Sequence, residues 1–116
     1  MLNLSKLMSL KDRRALITGA NGHIGRIIAL TLAELGADLI LVDRHGSDYK
    51  KLTNEITNNF KVDVQIHDCD LGIQNDREEL ISTLCNKGAP LNILINNAAF
   101  VGDTNLEGWV TDFEKQ

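Results

Sequence analysis

The stretch LITGANGHIG, residues 16–25, holds three glycines spaced three residues apart, directly after an apolar run. Apolar residues at helical spacing follow it and predict a helix over residues 23–35 that ends at Gly36. The run before it, Arg14–Thr18, is predicted to be a strand. The glycines therefore lie in a strand-to-helix turn, where backbone N–H groups can reach an anion without intervening Cβ atoms.

Apolar strands and helices alternate along the rest of the chain. Further strands are predicted over Asp38–Val42, Val62–Ile66 and Leu91–Ile95. A second helix, with Ser47 as its N-cap, is marked by Tyr49, Leu52, Ile56 and Phe60. A third, ending near Gly88, is marked by Ile73, Leu80, Ile81 and Leu84, and another helical pattern starts over Leu106–Phe113.

This alternation determines the predicted fold class. Strands joined by helices form parallel sheets through right-handed crossovers. Strands rich in Leu, Ile and Val, without alternation, fit a sheet that is covered on both faces. We therefore predict an α/β fold, a Rossmann-like doubly wound parallel sheet. It is incomplete, with about four strands in the order 3-2-1-4, and residues 1–116 form one domain.

Composition and charge exclude several other classes. The 116 residues have a formal net charge of −4 at pH 7. They contain no basic stripe with interleaved aromatic residues, so we expect no nucleic-acid partner. No apolar run approaches the length of a membrane span, so we expect no membrane partner. The two cysteines, Cys69 and Cys85, lack metal-ligand spacing and fit a reducing cytoplasm better than a disulfide framework.

The three glycines have distinct roles in a predicted dinucleotide site. Gly19 allows the sharp turn, Gly22 lets a pyrophosphate approach the backbone, and Gly25 allows tight packing of the helix against the strand. The helix N-terminus adds partial positive charge, worth about 0.3–1 kcal/mol at an exposed site. A glycine-rich turn without a ligand is the alternative, and the placement in the first strand-to-helix turn argues against it.

Asp43, at the end of the second strand, predicts which dinucleotide binds. It stands 18 residues after Gly25. A carboxylate at this place accepts hydrogen bonds from the adenosine ribose and repels a 2′-phosphate, which favours NAD over NADP. Arg44 complicates the prediction, because its guanidinium could stack on adenine or bind a phosphate.

Four motifs in order resemble the N-terminal half of the short-chain dehydrogenase/reductase family. They are Thr18-Gly19-x-x-Gly22-x-x-Gly25, Asp43, Cys69-Asp70-Leu71 after the third strand, and Asn96-Asn97-Ala98-Ala99 after the fourth. The resemblance runs from about Leu10 to the last residue. It implies an NAD(P)-dependent oxidoreductase that transfers a hydride between nicotinamide and an alcohol or carbonyl substrate.

The resemblance also implies roles for single residues. Asp70 would meet the adenine amino group, with the Leu71 backbone beside it. The Asn-Asn-Ala-Ala stretch would steady the sheet, and Asn97, Ala98 and Ala99 would line the ribose and nicotinamide side, with Ala99 in place of the family's glycine. Three residues belong to or flank the phosphate loop: Asn21, His23 and Ile24. His23 takes the position of the family's second glycine, and we assign it no catalytic role.

The family's catalytic residues have no match among these 116 residues. The family uses a Ser and a Tyr with a Lys four residues on; here the one tyrosine is Tyr49, and position 53 is Thr. We therefore expect a truncated domain that is inactive alone. Two alternatives stay open: a non-catalytic nucleotide-binding half-domain, and a fragment of an extended-type sugar-nucleotide epimerase or dehydratase, which shares the glycine spacing. The Asn-Asn-Ala motif favours the simpler dehydrogenase type.

The fourth predicted strand, Leu91–Ile95, bears on assembly. In a complete doubly wound sheet it is interior, with a fifth strand beside it. Without that strand it is an exposed apolar edge, which recruits other chains. We therefore expect a homo-oligomer, formed by pairing through this strand or by exchange of elements, or else aggregation. If the native protein is longer, we expect its remaining half to cover this edge instead.

Overall fold

The computed structural model describes residues 3–86 and 89–99. In chain order the elements are α1 (Leu4–Met8), β1 (Arg14–Thr18), α2 (His23–Glu34), β2 (Asp38–Asp43), α3 (Lys50–Asn59), β3 (Val64–Asp68), α4 (Gln74–Asn86) and β4 (Ile93–Ile95). The alternation predicted from the sequence is confirmed. The helical pattern over Leu106–Phe113 and the end of the third predicted helix at Gly88 lie outside the described residues.

The four strands form one parallel sheet in the order β3-β2-β1-β4. The predicted order and the doubly wound class are therefore confirmed. Leu16 of β1 is paired with Ile40 of β2 on one side and with Leu94 of β4 on the other. In the described part of the chain, β3 and β4 are the two edge strands.

Helices cover both faces of the sheet. On one face, buried Ile17 and Leu41 belong to a cluster with Ala29 of α2 and with Leu52 and Ile56 of α3. On the other face, Leu16, Ile40, Val42 and Cys69 form a smaller buried cluster, against which Leu80 and Leu84 of α4 pack. Covering on both faces explains why the interiors of the two central strands, β1 and β2, are apolar runs rather than alternating sequences.

Strand boundaries differ from the sequence prediction at both edges of the sheet. β3 begins at Val64, two residues later than predicted, because the Leu39 N–H donates to the Asp63 carbonyl and starts the pairing there. β4 begins at Ile93, because Asn92 ends the loop by bonding Arg14 through both its backbone N–H and its side-chain oxygen. Val62, which was predicted to begin β3, lies before the strand and packs, partly buried, against the larger cluster.

The predicted N-cap of the second helix, Ser47, was wrong. α3 begins after Tyr49, which makes no side-chain cap bond, and the Asp48 side chain accepts the Lys50 N–H at 2.9 Å. Ser47 lies one turn earlier, where its N–H donates to the Arg44 carbonyl. Burial of the Tyr49 ring, whose hydroxyl donates to the His67 carbonyl, sets the start of the helix.

Candidate functional site

A cavity of about 970 Å³ opens at the carboxyl ends of the strands. This is the edge at which ligands bind in open α/β sheets. Twelve of the thirteen predicted cofactor-binding residues line it: Gly19, Asn21, Gly22, His23, Ile24, Asp43, Arg44, Asp70, Leu71, Asn97, Ala98 and Ala99. Residues that lie up to eighty positions apart in the chain thus converge on one space. Gly25 is the exception.

Gly19 and Gly22 form the turn that enters the cavity. Gly19 has φ +64°, in the left-handed region, and a Cβ on it would stand 3.0 Å from the Ala98 Cα. A Cβ on Gly22 would meet only the Gly19 carbonyl oxygen, at 3.3 Å. The backbone at Gly22 is therefore open toward the cavity, which fits its predicted role in close approach of a ligand.

Gly25 acts by packing rather than by lining the cavity. A Cβ there would overlap the Gly19 carbonyl and come within 2.9 Å of the Asn97 side-chain nitrogen. The first turn of α2 therefore rests against the glycine loop and the end of β4. The close contact lies directly after β1, which fits the predicted role of the third glycine in tight packing of the helix against the strand.

A hydrogen-bond network joins the ends of β1 and β4 under the cavity. The Thr18 hydroxyl accepts the backbone N–H groups of Asn97 and Ala98 at 3.1 and 3.0 Å. The Asn97 side-chain amide donates to the carbonyls of Thr18 and Gly19 at 3.2 and 3.1 Å. The Asn-Asn-Ala motif therefore holds the glycine loop in place, and the Thr before the glycines is its partner.

Asp43 holds the glycine loop from the other side. Its Oδ2 accepts the Asn21 N–H at 2.9 Å, and its Oδ1 accepts the Arg44 N–H at 2.8 Å. A carboxylate has about four acceptor positions, so each oxygen keeps one for a further donor. The side chain can therefore shape the loop and still accept a ligand hydroxyl.

The helix N-terminus supplies donors at the same place. Gly22 is the N-cap of α2 and makes no side-chain cap bond. The amides of a first helical turn have no intrahelical acceptor, and the helix dipole is positive there. A bound anion would satisfy them, so the residues present fit a dinucleotide pyrophosphate.

Asp70 and Leu71 form the wall of the cavity that follows β3. The Asp70 carboxylate accepts the Gly72 N–H at 2.9 Å, and the Leu71 carbonyl accepts a bond from the Arg77 guanidinium at 2.6 Å. The Asp70 N–H donates to Asp76 Oδ2 at 2.8 Å. This bond, with a second one from His45 Nε2, holds the pKa of Asp76 below its usual value.

Four lining residues were missed by sequence reasoning: Val42, Ser47, Cys69 and Gly72. Val42, Cys69 and Gly72 are each adjacent in sequence to a predicted residue, so including whole strand-end segments would have found these three. Ser47 gave no such signal, because its position depends on where α3 begins. Cys69 is buried under the cavity, and burial raises the pKa of its thiol.

The described residues form neither a metal-binding cluster nor a membrane-spanning helix. Residues 3–86 and 89–99 contain no group of three or more His, Cys, Asp or Glu side chains placed to hold a metal ion. None of their helices combines the length and apolar character needed to cross a bilayer.

Fold and cavity together define a doubly wound α/β protein with a ligand space at its switch point. The family described as short chain dehydrogenase matches residues 13–115. The chain belongs to this family, whose members use NAD(P) cofactors.

Individual relatives agree with this assignment. The chain is 38% identical over 88 residues to a very-long-chain 3-oxoacyl-CoA reductase from Eremothecium gossypii, covering 75% of this chain and 25% of that protein. It is 33% identical over 98 residues to a 3-oxoacyl-acyl-carrier-protein reductase from Rickettsia felis, covering 84% and 37%. The chain thus spans well under half the length of these curated relatives.

Solved structures show the same fold. A short-chain type dehydrogenase/reductase from Mycobacterium marinum superposes with a TM-score of 0.79 at 25% identity, over 98% of this chain and 46% of that one. NAD⁺-bound xylitol dehydrogenase superposes with a TM-score of 0.75 at 24% identity, over 91% of this chain and 41% of that one. L-sorbose reductase from Gluconobacter frateurii, complexed with NADPH and L-sorbose, gives the same TM-score and identity, over 92% of this chain and 41% of that one. Structures with either dinucleotide therefore share this architecture.

Proposed function

We propose that residues 1–116 are a dinucleotide-binding domain of an oxidoreductase that transfers a hydride between nicotinamide and an alcohol or carbonyl substrate. The observation that carries the proposal is the convergence of twelve motif residues on one cavity beside the N-terminus of α2. When bound, the nicotinamide supplies the hydride donor or acceptor. The residues of this chain bind and orient the cofactor.

Each part of the cofactor has a place in this proposal. Gly22 and the first turn of α2 would hold the pyrophosphate, because donors and the positive helix end meet there. Asp43 would bind the adenosine ribose, and Arg44 and Asp70 would contact adenine. Ala98 and Ala99 would line the nicotinamide half.

We propose NAD rather than NADP as the cofactor. Both Asp43 oxygens already accept backbone N–H groups, which fixes the carboxylate at the cavity wall. Fixed in this way, it can accept a ribose hydroxyl but would face a 2′-phosphate as a like charge. Arg44 lies beside it in the same cavity and favours a phosphate, so the balance between the two side chains decides the preference.

Calorimetric titration with NAD and with NADP tests this proposal. We expect the unmodified chain to bind NAD more tightly. Asp43→Asn removes the charge and keeps one oxygen for the Asn21 N–H, while the bond from the Arg44 N–H is lost. It should narrow or reverse the preference and keep the bond to the glycine loop. Asp63→Ala removes one charge at the opposite, amino end of the sheet and should change neither affinity. Tighter NADP binding by the unmodified chain would contradict the NAD assignment.

Two further properties belong to the same proposal. We propose that the 116-residue chain forms a homo-oligomer, because β4 is an edge strand of the described sheet and Leu94 on it is 55% exposed. We propose a cytoplasmic location, since both cysteines are free thiols.

A further inference from the structure

Two neighbouring loops build the adenosine end of the cavity. The loop after β2 contributes Arg44 and Ser47, and the loop after β3 contributes Asp70, Leu71 and Gly72. The parallel ladder joins them at the base, where the Cys69 N–H donates to the Asp43 carbonyl. Further from the sheet, a side-chain contact joins them again.

That contact is the pair of His45 and Asp76. His45 Nε2 lies against Asp76 Oδ2, and the same carboxylate oxygen accepts the Asp70 N–H at 2.8 Å. The Asp70 side chain in turn accepts the Gly72 N–H. Neither His45 nor Asp76 lines the cavity, so both would act by positioning the residues that do.

Charge around this pair favours the protonated imidazole. Asp76, Asp68 and Asp70 all face His45, and the hydrogen bond to Asp76 is the largest cause that raises the pKa of His45 above its usual value. The pKa of Asp76 is lowered, first by the Asp70 N–H. An ionised carboxylate only accepts, so Nε2 must carry a hydrogen for the contact to be favourable.

We propose that His45 and Asp76 form a proton-dependent clasp that positions the loop after β3, so that nucleotide binding weakens as His45 loses its proton. With His45 charged, the bond is charge-assisted and stronger than a neutral one, and solvent screening at the 61% exposed His45 side chain keeps its contribution modest. With His45 neutral, the bond is weaker, and in one tautomer a nitrogen lone pair faces the carboxylate. The effect on binding rests on the proposed function; the ordering of the loop does not.

Binding of NAD from pH 5.5 to pH 9 tests the first part. We compare the unmodified chain with His45→Gln, which keeps a neutral donor at the same reach, and with Glu79→Gln, an exposed charge change on α4. The ratio of the affinities of each chain to those of His45→Gln is the readout, because effects of pH that the three chains share cancel in it. The unmodified chain should lose roughly two- to fivefold in affinity relative to His45→Gln as His45 titrates, the size expected of an exposed ion pair. Glu79→Gln should follow the unmodified chain.

Amide hydrogen exchange without nucleotide tests the clasp by itself. Protection of the Asp70 N–H, relative to His45→Gln, should fall as pH rises through the His45 titration. A ratio that stays constant over this range would overturn the clasp, whether or not NAD binds. If the protection ratio falls but NAD does not bind at any pH, the proposed function and the effect of the clasp on affinity are both refuted. The clasp then only orders the loop. If the protection ratio falls but the ratio of NAD affinities does not change with pH, only the effect of the clasp on binding is overturned.

Discussion

At the scale of single residues, the atoms around each glycine of the loop predict the effect of replacing that glycine with alanine. Gly25→Ala places a Cβ against the Gly19 carbonyl and the Asn97 amide, both of which are held by other bonds. We expect this substitution to lower the free energy of unfolding by about 1–3 kcal/mol, as overpacking does, and to abolish NAD binding.

Gly22→Ala is the matched control, because its Cβ would meet only one atom, at 3.3 Å, and would otherwise enter the cavity. We expect nearly unchanged stability and NAD affinity weakened by roughly tenfold or more, a loss of about 1.4 kcal/mol. Chemical denaturation and calorimetry measure the two effects. Equal loss of stability in both variants would contradict the separate roles of the two glycines.

Motif spacing predicted where these residues lie but not all of what they contact. Asp43 is a strand-end carboxylate in any doubly wound sheet, so its place at the cavity follows from its position. That both its oxygens bind the backbone depends on the path of residues 19–21, which no local pattern encodes. His45 and Asp76 gave no signal, because their contact joins two loops whose lengths and turns are set by the rest of the fold.

At the scale of elements, the joint between β1 and β4 depends on one hydroxyl. Thr18→Val keeps the shape and burial of the side chain but leaves the Asn97 and Ala98 N–H groups without their acceptor. We expect the free energy of unfolding to fall by about 1–3 kcal/mol, because two part-buried donors lose their acceptor. Exchange of these two amides should become faster.

Thr57→Val provides the control for this element. Thr57 is exposed on α3, and its hydroxyl bonds the Thr53 carbonyl within the same helix. Its removal should change stability by less than about 0.5 kcal/mol, as is usual at the surface. Thermal denaturation compares the two variants. A Thr18→Val chain as stable as Thr57→Val would show that the β1–β4 joint does not depend on the hydroxyl.

Element type was predictable, whereas element ends were less so. Buried central strands have apolar runs whose limits coincide with pairing, and β1 spans the predicted residues Arg14–Thr18. In the edge strands, the apolar run begins before the hydrogen-bonded pairing does, because Val62 and Leu91 are apolar but precede β3 and β4. The start of β4 is set by the bonds between Asn92 and Arg14, a contact between residues 78 positions apart.

At the scale of the whole molecule, the strand order followed from the rules of parallel sheets, because short crossovers leave few topologies. The same rules make the edge at β4 the surface to test. In the described residues, β4 pairs with β1 on one side only. Leu94 is not part of the cluster under α4, and it is 55% exposed. An apolar edge strand offers unpaired backbone groups to another chain.

We therefore expect the 116-residue chain to associate through β4 as its concentration rises. Light scattering should give a mass above the 12.8 kDa of one chain, and amides of residues 93–95 should gain protection in parallel. Leu94→Lys should reduce association, since lysine guards edge strands. Ile27→Lys, at a comparably exposed site on α2, should leave it unchanged. A monomer at every concentration, with residues 93–95 already protected, would contradict this, because a segment of the same chain would then cover the edge.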